Sequence, residues 1–125
     1  MTGEHLAKGS SNPLGYRHPA GEAVTQLTDR GTAVTINALC GQITTDDASL
    51  AAAAEATFTV NNNLVEIGDV PLVAVQDQGA TGEVVAFVTD VADGSFQITL
   101  ANLHAATAAT NAAILNFVIL KAVAE

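Results

Sequence analysis

Few side chains in this chain are of a type that does chemistry. Cys40 is the single cysteine, and His104 is the one histidine outside the first twenty residues. A thiol and an imidazole make a nucleophile and base only within hydrogen-bond reach and with a third group to orient the base. Nothing in the spacing of these two points to that. His5 and His18 sit in a segment rich in Gly and Pro and offer too few ligands for a metal. Asp46 and Asp47 are adjacent, and neighbours on an extended chain point to opposite faces, so they make a poor acid/base pair. Asn61 to Asn63 with Glu66 and Asp69 supply oxygen atoms suited to Ca²⁺. They lack the Asp-x-Asp-x-Asp-Gly order of a dedicated loop and read as a turn. No Gly-rich phosphate loop and no hydrolase elbow is present. The expectation is a chain with no catalytic residue, no metal and no cofactor.

Charge narrows the partners. The formal net charge is −9, from 13 acids against 4 bases. Lys8, Arg17 and Arg30 come early and Lys121 late, with no Lys or Arg between Gly31 and Leu120. A body without cations cannot neutralise phosphates, so neither nucleic acid nor an anionic membrane is an expected partner. The opening Met-Thr-Gly-Glu-His-Leu-Ala-Lys has no apolar core of a secretory signal. The longest apolar run, residues 112–120, is broken by Asn116 and is too short to span a bilayer. One cysteine cannot form an intrachain disulfide, and Cys40 reads as an inert buried thiol.

The elements follow from side-chain period. Residues 1–21 hold Gly3, Gly9, Gly15, Gly21, Pro13 and Pro19 with no period, and read as an arm. Residues 22–125 read as one domain. Glu22–Thr28 alternates weakly, and Asp29-Arg30-Gly31 is a turn in which Gly31 is free to take positive φ. Thr32–Thr45 reads as a central strand with a bulge at Gly41, placing Val34, Ile36, Ala38 and Cys40 on one side. Residues 46–54 read as a loop with at most one helical turn. Further strands are expected at 56–60, with Phe58 inward, and at 64–67, 70–75 and 84–91. Pro71 marks the third of these as an edge or a strand start. Phe96, Ile98 and Leu100 alternate with Gln97 and Thr99, and residues 113–123, carrying Phe117, are apolar on both faces and therefore expected to be covered on both. Seven or eight short strands with turn signals between them predict an all-β antiparallel sandwich of jelly-roll or Greek-key type, with a core built on Val34, Ile36, Cys40, Phe58, Phe96 and Phe117.

One set of segments carries a resemblance. Ala23-Val-Thr-Gln-Leu-Thr, Thr35-Ile-Asn-Ala-Leu-Cys-Gly-Gln-Ile-Thr, Leu50-Ala-Ala, Phe58-Thr-Val-Asn-Asn, Gly94-Ser-Phe-Gln-Ile-Thr-Leu-Ala-Asn-Leu and Asn116-Phe-Val-Ile-Leu-Lys together resemble a module of tailed-bacteriophage virion proteins, found in head-decoration proteins and at the tips of head or tail fibres. The resemblance covers about residues 23 to 121. It implies a capsid decoration, or cement, protein: a homotrimer made in the host cytoplasm and placed on the capsid surface, with the major capsid protein as partner. The alternative it leaves is the receptor- or glycan-binding tip of a fibre. The body is acidic or neutral, whereas the arm concentrates Lys8, Leu14, Tyr16, Arg17 and His18. The arm is therefore the expected capsid contact, with Leu14, Tyr16 and Arg17 as anchors.

Overall fold

The alternation at Phe96, Ile98 and Leu100 belongs to a strand with a neighbour on each side. The computed structural model of the protein describes residues 15–16 and 20–122. Eight strands lie in that range and no helix does: β1 Gly21–Thr25, β2 Val34–Thr35, β3 Cys40–Thr44, β4 Glu55–Asn61, β5 Val70–Asp77, β6 Val84–Ala92, β7 Ser95–Asn102 and β8 Ile114–Leu120. They form two four-stranded sheets, of order β1-β3-β8-β5 and β2-β4-β7-β6, packed face to face as a β-sandwich.

The inner faces are built by period two. Ile43 from β3 and Leu115, Phe117 and Ile119 from β8 meet Phe58 and Val60 from β4 and Phe96, Ile98 and Leu100 from β7. Phe96 and Phe117 join the two sheets with ring centroids 5.7 Å apart and tilted by 55°. Each such side chain, fully withdrawn from water, stabilises the fold by about 1.5–3 kcal/mol. Val34, Ile36, Phe58, Phe96 and Phe117 all lie in this core.

The sheets are mixed rather than purely antiparallel. β1 runs parallel to β3, and β2 parallel to β4, while all other pairs are antiparallel. The stretch 32–45 is also not one strand. Val34–Thr35 is an edge of one sheet and Cys40–Thr44 an interior strand of the other. Between them the chain crosses the sandwich, held by Asn62, whose amide donates to the Ala38 carbonyl at 2.7 Å. The crossing inverts the alternation: Val34, Ile36 and Ala38 point inward, then Gly41 and Ile43 do. Cys40 therefore sits on the outer face, half-buried, and not in the core.

Smaller departures have local causes. Thr28, not Gly31, takes the positive φ of 76° before β2. Residues 63–64 and 67–68 form turns instead of a strand. The signal at Ala92-Asp93-Gly94-Ser95 is a two-residue hairpin turn, with Gly94 at φ 86°. Residues 46–54 contain no helix and are tied to the 103–111 loop by a bridge between Leu50 and Ala109. Pro71 lies on edge strand β5, where a missing N–H costs no ladder bond.

Candidate interaction surface

The outer face of the β1-β3-β8-β5 sheet is the most distinctive surface of the molecule. Its register stacks four rows of side chains across the strands. Val70 stands beside Leu120, and Leu72, Val118, Cys40 and Gly21 form the next row. Ala74, Asn116, Gln42 and Ala23 follow, and Asp77, Ile114, Thr44 and Thr25 close the face. Among these residues only Asp77, at a corner, is charged. None of them is fully buried: Cys40, Gln42, Thr44, Ile114 and Val118 are half-buried and the others are exposed. Val70, Leu72 and Leu120 are 47%, 48% and 42% exposed. Among the described residues β8 is thus mainly apolar on both sides but fully buried on one only.

An amide cluster lies in the middle of this face. Gln76 Oε1 accepts from Gln42 Nε2 at 3.1 Å and from Asn116 Nδ2 at 3.0 Å, linking three adjacent strands. The sequence reading did not single out these amides. Their signal was the phase of Gln42 and Asn116, each one alternation from Cys40 and Val118. The other sheet presents a different face. There Thr99 is hydrogen-bonded to Thr57 at 2.8 Å and Thr89 at 3.0 Å, with carboxylates at Glu55 and Asp90 and exposed Phe87 and Val85.

The groups first considered for chemistry are used in structural roles. His104 Nδ1 accepts the backbone N–H groups of Ala106 and Thr107, at 3.1 and 2.9 Å, and so closes its own loop. No hydrogen bond joins it to Cys40 among the described residues. Asp46 and Asp47 lie near Arg30, which is 3% exposed. The Arg30 guanidinium donates to the carbonyls of Ala48 and Asn111, the latter at 2.8 Å, and so pins three loops together. Burial pulls its pKa below the ordinary arginine value and the two aspartates pull it back; it stays a cation. Asp69 and Glu66 hold the Lys121 ammonium, at 2.6 and 3.0 Å. Burial pushes the Asp69 carboxyl up, but Lys121 and the N–H groups of Glu66 and Ala122 outweigh that and hold it below the usual range. The same contacts raise Lys121 above the ordinary lysine value. Among the described residues no three His, Cys, Asp or Glu side chains gather as a metal cluster.

Of the expected arm anchors, Lys8, Leu14, Arg17 and His18 lie outside the described residues, as does His5. Tyr16 is described, and its hydroxyl donates to the Ile119 carbonyl. Ile119 also donates its N–H to Leu39 at 2.7 Å, on the side where the chain enters β3 from the other sheet. Tyr16 thus ties the arm to β8 of its own body. No helix among the described residues is long and apolar enough to cross a membrane. No family model, curated protein or solved structure matches the chain.

Proposed function

We propose that the protein is a capsid decoration protein of a tailed bacteriophage, binding the outer shell as a homotrimer and stabilising it. One observation carries this reading. The most distinctive part of the likeness to the phage module, Cys40-Gly-Gln-Ile-Thr44, is β3, and the segments 58–62, 94–103 and 116–121 overlap β4, β7 and β8; these are the four interior strands of the two sheets. The likeness therefore includes all four interior strands of the sandwich, beside edge and loop segments such as 23–28 and 50–52. The location that goes with it is the virion surface, after synthesis in the host cytoplasm, with the major capsid protein as partner. The arm is the natural contact with that partner, because the body it precedes is acidic and Tyr16 fixes the point where the arm leaves the body.

The test is stoichiometry and rebinding. Purified virions should contain this chain in numbers comparable with the major capsid protein, and the full-length protein should rebind capsids stripped of it. A few copies per particle would point to a fibre tip instead, and absence from virions would end the virion reading altogether.

A further inference from the structure

We infer that the outer face of the β1-β3-β8-β5 sheet is the surface through which copies of this chain bind one another. This rests on the oligomeric part of the proposed function and adds the surface, which that reading leaves open. Three observations select a second copy as the occupant. The first is charge. Each copy carries −9, so copies repel except where carboxylates are absent, and on this face only corner residue Asp77 is charged. The opposite face carries both Glu55 and Asp90.

The second is self-complementarity. An amide donates and accepts at once, so a patch of amides can match its own copy, as symmetry requires of residues gathered at an axis. Gln76 Oε1 is occupied by Gln42 and Asn116. Among the described residues Gln76 Nε2 and Gln42 Oε1 make no hydrogen bond and are available across an interface. Val70, Leu72, Val118 and Leu120 flank these amides with aliphatic surface.

The third is size. Four strands about 4.8 Å apart and four rows about 6.6 Å apart make a face of about 500 Å² per copy. Two such faces in contact give about 1,000 Å², below the size of stable specific interfaces, so each contact is weak and the assembly should dissociate on dilution. Dilution then supplies the assay, because Cys40 lies in the second row and its thiol is a native probe of the face.

The experiment measures Cys40 labelling by a thiol reagent against protein concentration, in parallel with sedimentation velocity, on the full chain. Labelling should slow at least tenfold as the oligomer forms. Leu72→Glu should remain folded by circular dichroism, stay monomeric and label quickly at every concentration. Phe87→Glu, the same kind of change on the opposite face, should leave both readouts as in the wild type. Three results would overturn the inference while leaving the oligomer intact: an oligomer whose Cys40 labels as fast as the monomer's, an oligomer that survives Leu72→Glu, or dissociation by Phe87→Glu alone. Protection of Cys40 that does not change with concentration would show that the chain's own arm covers the face. A wild-type chain that sediments as a monomer throughout would defeat the oligomeric reading itself.

Discussion

Replacing Gly41 by alanine tests the crossing from one sheet to the other. Gly41 pairs with Glu22 on one side and Phe117 on the other, and its missing side chain points into the core. An added Cβ would lie 2.7 Å from the Glu22 carbonyl oxygen, 2.8 Å from Ile36 Cδ1 and 2.9 Å from Phe117 Cε1. The two side chains can give a little. The carbonyl can move only with β1, which would loosen the parallel β1–β3 ladder. Overpacking of this kind costs about 1–3 kcal/mol. Alanine also stiffens the unfolded chain, which offsets about 0.4–1 kcal/mol. The expected net loss is about 1–2 kcal/mol. Gly68 is the control, since its φ is not positive and nothing lies within 4 Å of its added Cβ. Gly68→Ala should stabilise by about 0.4–1 kcal/mol. The chain has no Trp, so urea unfolding is best followed by far-ultraviolet circular dichroism. Ile36→Val removes Cδ1, so its cost should add less than fully to that of Gly41→Ala. If Gly41→Ala were as stabilising as Gly68→Ala, the inward direction of Gly41, and with it the inverted alternation after Ala38, would be wrong.

Four further outcomes follow from the polar contacts. Arg30→Lys keeps the charge but loses the planar fork that reaches the Ala48 and Asn111 carbonyls, and should cost about 1–3 kcal/mol in urea unfolding. Asp69 has its carboxyl pKa depressed by folding, so the unfolded state binds more protons in acid. Its contribution is present above about pH 4 and is lost as pH falls further, and Asp69→Asn should flatten the fall in urea midpoint between pH 5 and pH 3. Lys121, raised by the same contact, contributes below about pH 10.4 and loses that contribution in stronger alkali. Tyr16→Phe removes the donor to the Ile119 carbonyl and should cost about 0.5–1.5 kcal/mol, with faster proteolysis of the arm as the more sensitive readout.

The legible part of this fold was its alternation, and the limits of alternation explain what was missed. At β4 and β7 the pattern alone placed Phe58, Phe96, Ile98 and Leu100 on the inside, because polar partners marked the other face. Val34 to Ile43 carries the same kind of pattern, but its phase slips between Ala38 and Ile43. A bulge and a change of sheet both produce that slip, and Gly41 suits either: as the extra residue of a bulge, or as the position where β1, Ile36 and Phe117 leave no room for a Cβ. Only the partners of the two halves, β4 for Val34–Thr35 and β8 for Cys40–Thr44, separate the cases, and partners are long-range facts. Arg30 was hidden for a related reason. Asp29-Arg30-Gly31 has the composition of an exposed turn, and burial comes from loops that arrive near residues 48 and 111.

β8 marks where period-two reasoning turns from fold to function. A strand apolar on both faces must be covered on both or leave one face for a partner, and the sequence alone does not say which. In the folded chain Leu115, Phe117 and Ile119 are buried against the second sheet, while Ile114, Asn116, Val118 and Leu120 lie on the outer face and none of them is fully buried. Asn116 separates the two outcomes. A strand meant for the middle of a larger core would not carry an amide there, since a buried amide needs every partner supplied. On an outer face it is hydrogen-bonded to Gln76, close to Gln42, and one row from Cys40 and Val118. The residue that interrupts the apolar run of the last strand thus falls at the middle of the surface we propose for self-association.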